Sequence, residues 1–404
     1  MGPSARLPGT AARDRIVAHV DMDCFYAACE RLREPALRGE PVVVGMGYEP
    51  GTDSGAVATA SYEARAFGVE SAMALSEALD LLPRKVDVAG SGHPVDEAGF
   101  YRPVDMPFYE SVAAEARTLL QERAGTVREV SIDEAYLDVT DRTDWEAVGT
   151  FARELKSAVA DEVGVTASVG VAPTMSAAKI ASDHDKPDGL VVVEPGEVAD
   201  FLAPLDVESV HGVGPVTAGE LRTLGIETAG ELAAADPSVL TDRFGERGRQ
   251  VHRFARGADD RDVEPRGRPK SLSRESAFTE ATADPDRQVD RLRTLADGVA
   301  ERAKSRDVLY RTIGIKVVTP PFDVSTRARS LPGPVADGEL VAGVAEELFA
   351  EFLADPVRKL GVRVSNLSFA DGEQPSLAEW ADPARGETGR NPTDDGQRSL
   401  TEYD

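Results

Sequence analysis

Strand-like and helix-like apolar patterns alternate along this chain, and in two strand-like runs carboxylates interrupt the apolar residues. Residues 16–26 read Ile-Val-Ala-His-Val-Asp-Met-Asp-Cys-Phe-Tyr, a core-like strand ended by Asp21 and Asp23, with a helical pattern following from Ala27 to Leu32. Residues 130–138 read Val-Ser-Ile-Asp-Glu-Ala-Tyr-Leu-Asp, again the pattern of a buried strand, with Asp133 and Glu134 side by side inside it. Further strands are expected at 41–45 and 165–171, the latter feeding a helix that carries Lys179. Helical periodicity runs over 101–121 and dominates from about 190 to 256. After a polar stretch at 257–268, read as a flexible linker, helices and strands alternate again through 311–318 and 360–367. Residues 87–99 are rich in Gly and acid and read as a loop. The pattern predicts an α+β chain of several domains.

Adjacent carboxylates in a core-like run are costly to bury unless they are paired or metal-bound. Magnesium is the economical explanation, because it takes oxygen ligands and keeps waters and substrate phosphates. Two acid-bearing strands converging on a pair of metals would form a clamp for in-line phosphoryl displacement. Two plainer readings stay open on spacing alone: Asp133-Glu134 as a solubilising hairpin tip, and Asp21 and Asp23 as caps of the following helix.

At 404 residues the chain exceeds one ordinary core. No stretch approaches the roughly 20 apolar residues of a membrane span. Residues 1–14 lack an apolar signal core and read as an extension. Cys24 and Cys29 give no disulfide framework, so a reducing cytoplasm is expected. The net charge of −26, with only eight lysines, is the reverse of the usual nucleic-acid footprint. It fits a surface adapted to molar salt in a halophilic cell. Phosphate contacts weaken by roughly 10³–10⁵ between 50 and 200 mM salt for a protein making 6–10 of them. A DNA binder in such a cell therefore needs a locally basic surface or a tether.

Taken in order, the motifs resemble those of the Y-family DNA polymerases, in particular their DNA polymerase IV branch. Residues 20–26 resemble the first catalytic motif and 131–138 the second. Residues 55–65 (Gly-Ala-Val-Ala-Thr-Ala-Ser-Tyr-Glu-Ala-Arg) resemble the motif that holds the incoming nucleotide, and 168–172 with 178–183 the palm strand and helix after it. The resemblance spans about 15–369. It implies a right-hand polymerase: a ferredoxin-like palm (15–24 and 105–186), small fingers (25–104), a helical thumb with a helix-hairpin-helix (187–256), the linker, and an α+β little finger (269–369).

By the same resemblance, two Mg²⁺ would be held by Asp21, Asp133, Glu134 and the Met22 carbonyl. Asp21 and Asp133 would bridge the ions and Glu134 would hold the one on the primer side. Tyr26 would exclude a 2′-hydroxyl. Thr59, Tyr62, Arg65 and Lys179 would contact the nucleotide. Gly212 and Gly214 of the hairpin, with Lys270 and Arg274 of the basic run after the linker, would hold DNA. The small residues Gly55, Ala56, Ala58 and Ala60 suggest a roomy cover over the nascent base pair. Cys24 departs from the aromatic expected there, and the 87–99 loop is longer than the family pattern. Residues 370–404 are polar and expected to be disordered. They end in Gln397, Leu400 and Tyr403, which resemble the sliding-clamp-binding motif of replication proteins, with Asp404 where a second aromatic is usual. The expectation is a monomeric, low-fidelity lesion-bypassing polymerase acting on primer-template DNA and dNTPs, without proofreading. The rivals are an inert clamp- and DNA-binding scaffold of the same family, which loss of the carboxylates would have favoured, and a palm-type nucleotidyl cyclase.

Overall fold

The computed structural model describes residues 15–369 apart from Ser91 and His93, so the clamp-motif candidates Gln397, Leu400 and Tyr403 lie outside the described residues. The chain forms two compact units that part between Arg266 and Gly267. In chain order the first unit begins β1 (Val17–Met22), α1 (Phe25–Arg33), β2 (Val42–Met46), β3 (Ala56–Ala60), α2 (Tyr62–Arg65), α3 (Leu75–Leu81), α4 (Lys85–Val88) and β4 (Phe100–Pro103). It continues α5 (Met106–Arg123), β5 (Thr126–Glu129), β6 (Glu134–Asp138), α6 (Val148–Ala158), β7 (Ala167–Ala172), α7 (Met175–His184) and β8 (Leu190–Val192). It closes with α8 (Val198–Leu202), α9 (Pro215–Thr223), α10 (Ala229–Ala234), α11 (Pro237–Phe244) and α12 (Glu246–Ala255).

The central sheet has the order β5-β6-β1-β7-β8, with β1 in the middle and antiparallel to both neighbours. Strand alternation divides β1 between two layers. Ala18, Val20 and Met22 pack with α5 and α6, whereas Val17 packs with α7 and the helices that follow. The α7 side therefore also receives His19 and Asp21. On β7 this side carries Ser168, Gly170 and Ala172. Gly170 lets α7 lie directly on the strand: a Cβ there would sit 2.2 Å from the Ala178 carbonyl oxygen and the Ser182 nitrogen. A second, three-stranded sheet (β3-β2-β4) with α2 and α3 encloses its own small core around Tyr48, Leu75, Leu82 and Tyr101.

The second unit runs β9 (Ser271–Thr282), α13 (Pro285–Ser305), β10 (Val308–Thr319), β11 (Asp323–Val335), α14 (Gly338–Phe349) and β12 (Val357–Phe369). Its antiparallel sheet has the order β11-β10-β12-β9. Ile313, Ile315 and Val317 of β10 and Leu360, Val362 and Val364 of β12 pack against α13 and α14. The opposite face carries Lys316 and Lys359, both paired with Glu275.

Several expectations change. Residues 130–133 are not buried strand: β5 and β6 are joined by a tight turn in which the Val130 amide donates to Glu134 O at 3.0 Å, and Val130 is exposed. Residues 101–103, at the start of the expected helix, belong instead to β4, a strand parallel to β2 that places Tyr101 in the small core. The central sheet continues past 186 through β8. Within 87–99 there are short helical turns, α4 and Val95–Glu97. The first half of the expected linker is not loose: Asp259 and Val263 are buried. Asp259 accepts the Ser176 amide at the start of α7 (3.0 Å) and a bidentate pair of bonds from Arg261 (2.8 Å each), while Arg15 donates to its carbonyl.

Candidate active site

The register of the central sheet sets Asp21 directly opposite Glu134, and the Met22 amide donates to Asp133 O at 3.0 Å. Three acidic residues more than a hundred positions apart in part thus meet at one end of β1, facing α7. Asp21 is buried, yet its carboxylate has cations close by: Lys179 Nζ at 2.9 Å and Lys186 Nζ at 2.7 Å. Lys179 also reaches Glu134 at 2.8 Å, and both lysines contact Asp183. Burial by itself raises a carboxyl pKa; at Asp21 the two ammoniums outweigh it and hold the group well below the ordinary range. Burial wins at Glu134 and at Asp133, whose pKa values are raised. Asp133 accepts from Ser131 Oγ at 2.5 Å.

His19 lies below this cluster, fully buried and kept neutral by burial. Ser182 Oγ lies 2.8 Å from the Lys179 carbonyl and 2.7 Å from His19 Nδ1, while His19 Nε2 lies 3.8 Å from a Glu134 carboxylate oxygen. Asp23 is also buried, and its bonds run the other way, to the framework. It accepts from Ser168 Oγ (2.9 Å), the Tyr62 hydroxyl (3.2 Å) and the Asp188 amide (2.8 Å). Neither aspartate caps α1. That role falls to Cys24, which makes no side-chain cap bond and takes a left-handed backbone at φ 41°.

The donor set suits a hard divalent ion: carboxylate oxygens from two adjoining strands, with two ammoniums already supplying positive charge to them. Among the described residues no three acidic, His or Cys side chains form a ready cage. Magnesium rarely has one, since it is completed by waters and substrate phosphates.

Residues 20–183 match the impB/mucB/samB family, 269–377 match that family's C-terminal domain, and 195–226 match the IMS family HHH motif. The chain is 61% identical to DNA polymerase IV of Halobacterium salinarum over 96% of its own length and 94% of that protein's. It is 45% identical to DNA polymerase IV of Methanoculleus marisnigri over 91% of its length and 98% of that protein's. Among solved structures it resembles a Y-family polymerase chimera, Dbh-Dpo4-Dbh, with TM-score 0.77 and 30% identity over 88% of this chain and 99% of that one. An insertion ternary complex of Dbh DNA polymerase follows with TM-score 0.62 and 28% identity, over 88% of this chain and 99% of that one. This chain belongs to the Y family of DNA polymerases.

Around the acidic cluster of this polymerase, Tyr26 stacks on Tyr109, ring centroids 4.6 Å apart and 18° from parallel, and Tyr109 is pinned by a 2.7 Å bond to Glu30. Thr59 lies half-buried on β3. Tyr62 and Arg65 form one unit, the guanidinium 4.6 Å over the ring. Arg65 Nε donates to the Ala60 carbonyl. Ser61 caps the short helix through the Ala64 amide. Lys179, expected at the nucleotide phosphates, donates to Asp21 and Glu134. Gly212 adopts φ 86° and its carbonyl accepts from Arg247 (2.7 Å); Gly214 precedes α9, whose first turn no side chain caps. Lys270 is exposed just before β9. Arg274 is exposed on the edge strand β9 and runs alongside Gly298 of α13, where a Cβ would sit 2.8 Å from its Cδ.

No site role was expected of Lys186, Asp183, His19 or Ser168, although Ser168 and Asp183 fall within the segments 168–172 and 178–183. Lys186 stands at the last position of the expected palm segment, with no motif around it. Its one available signal was a scarce lysine seven residues beyond Lys179 in a chain with so few.

Proposed function

We propose that this polymerase is a template-directed, low-fidelity enzyme that copies past damaged bases. It would transfer the dNTP α-phosphoryl group to the primer 3′-hydroxyl, breaking the bond to the β-phosphate and releasing pyrophosphate, at a two-ion site of Asp21, Asp133, Glu134 and the Met22 carbonyl. The observation that carries this is the pairing of Asp21 with Glu134 beside Asp133 at one end of the sheet. Divalent ions bound there would make the 3′-hydroxyl more acidic and neutralise charge on the α-phosphate. The protein's own part is positional. Lys179 and Lys186 would exchange carboxylate for triphosphate oxygens as the nucleotide enters, and the Arg65 guanidinium, held over Tyr62, suits the same oxygens. Tyr26, braced by Tyr109, would close the space a 2′-hydroxyl needs. The small residues along β3 would leave room for distorted bases.

In this reading the central sheet with α5–α7 is the palm, the small three-stranded unit the fingers, α8–α12 the thumb, and the second unit the little finger. Primer-template DNA would be held without sequence reading by the amides around Gly212 and Gly214 and by Lys270. Gln397, Leu400 and Tyr403 would tether the enzyme to a sliding clamp, supplying the effective concentration that molar salt removes. The enzyme would act as a cytoplasmic monomer and lack a proofreading nuclease. An inert scaffold is disfavoured by the retention of all three carboxylates.

The test is primer extension in molar KCl with Mg²⁺, on intact and lesion-bearing templates. The expected result is extension past the lesion that falls by at least about a thousandfold in Asp133→Ala. Extension on intact template alone would retain the polymerase and remove lesion bypass. Full activity in Asp133→Ala would remove the proposed site.

A further inference from the structure

We infer that Asp23 is a positioning residue for the nucleotide pocket, not a metal ligand: its carboxylate ties the Tyr62 helix and the Lys186 turn to the palm. The inference rests on the site reading above and adds a role for the one acidic residue of the first motif which that reading leaves idle.

Asp21 and Asp23 lie two residues apart, yet their surroundings are opposite. Asp21 meets two ammoniums and the Glu134 strand. Asp23, only 4% exposed, is surrounded by hydrogen-bond donors from three separate segments. Ser168 Oγ, from β7, donates at 2.9 Å and itself accepts the Gly189 amide at 3.1 Å. The Asp188 amide, in the turn just after Lys186, donates at 2.8 Å. The Tyr62 hydroxyl, from α2 of the small three-stranded unit, donates at 3.2 Å. The backbone of Asp23 is fixed as well, through its amide to the Thr166 carbonyl at 2.8 Å. A carboxylate is suited to this role because it accepts several bonds and donates none. With its oxygens taken up in this way, Asp23 has little left to offer a cation.

The consequences follow from what the three donors carry. Tyr62 supports Arg65 on its ring, so holding the hydroxyl fixes the Tyr62–Arg65 pair as a unit. The Asp188–Gly189 contacts fix the turn from which Lys186 reaches Asp21 at 2.7 Å. Both are groups assigned to the triphosphate. Without Asp23 they would have to be ordered by the incoming nucleotide, which lowers its affinity and leaves the acidic cluster itself in place.

The experiment uses the full chain with primer-template DNA in molar KCl, and Asp23→Ala, Asp23→Asn, Ser168→Ala and Tyr62→Phe. Binding of a non-hydrolysable α,β-imido dNTP matching the template base is measured by calorimetry with Mg²⁺, alongside KM and kcat for the natural dNTP. Asp23→Ala is expected to raise the dissociation constant and KM by about tenfold or more, with kcat within about threefold of the parent. Asp23→Asn, which retains one acceptor oxygen, should fall between the two, and Ser168→Ala should shift KM in the same direction. The combined shift of Asp23→Ala with Tyr62→Phe should be smaller than the product of the single shifts. A fall in kcat with nucleotide binding unchanged, or shifts that simply multiply, would overturn the inference. Should Asp23→Ala fail to fold, the Asn and Ser168 variants decide it: wild-type nucleotide binding in both would overturn it. These outcomes are separable from failure of the site reading, which would appear as an active Asp133→Ala enzyme.

Discussion

His211 precedes the Gly212-Val213-Gly214 hairpin and packs on Phe254 with ring centroids 5.5 Å apart. Burial, with the charge of Arg261 adding to it, depresses its pKa to about 4. An unfolded histidine titrates near 6.5. Between these values the unfolded chain binds a proton that the folded one refuses, so stability is fully present above about pH 6.5 and declines as pH falls towards 4. The expected contribution is at most about 1.4 kcal/mol per pH unit across that window, less to the extent that the ring is solvated. Urea midpoints at pH 7, 6 and 5 should fall less steeply in His211→Gln than in the parent. Equal slopes would assign the acid sensitivity to other groups. The same residue scale separates what could be read beforehand. Asp21, Asp133 and Glu134 stood out because charge interrupts an apolar run. His19, Ser168 and Ser182 did not, because a lone polar residue in a strand or helix pattern acquires meaning only from its partner across the fold.

At the scale of elements, α7 is the part on which the site depends. It carries Lys179, touches β7 through Gly170, and begins at an amide capped by the distant Asp259. Gly170→Ala would drive a methyl into the helix backbone, where no side chain can rotate away. Overpacking of this kind costs about 1–3 kcal/mol. The expected outcome is a lower denaturation midpoint together with loss of extension activity as α7 shifts off the strand; an unaltered midpoint would mean that the helix rides higher than described. The strand and the helix that make this contact were legible as periodic patterns. The contact was not, since glycine in a strand signals close approach without naming the neighbour. The segment after Gly257 was misread for a related reason: its polarity suggested solvent, whereas Asp259 is polar because it caps a helix and pairs with Arg261.

For the whole molecule, the division at Arg266 and Gly267 leaves each unit with its own core. A fragment of residues 267–369 should therefore fold alone, with a cooperative thermal transition in molar KCl and strand-rich circular dichroism. A featureless melt would mean that its core needs the first unit. The chain carries a net charge of −26 and still belongs to a family of DNA polymerases, so its overall acidity does not exclude DNA as a partner. Net charge reports on solvent and association rather than on fold.

The α+β class, most strands and helices and the candidacy of Asp21, Asp133 and Glu134 were legible locally, because periodicity and misplaced charge are local properties; the two-ion role given to them came from the family resemblance. Only the folded chain shows that Asp21 faces Glu134, that Lys179 bridges the two while Lys186 reaches Asp21, and that Asp23 turns to Ser168, Tyr62 and the Asp188 amide. Those outcomes depend on strand register and on how closely α7 settles on β7. Register joins residues 145 and 158 positions apart, and no local pattern carries that distance.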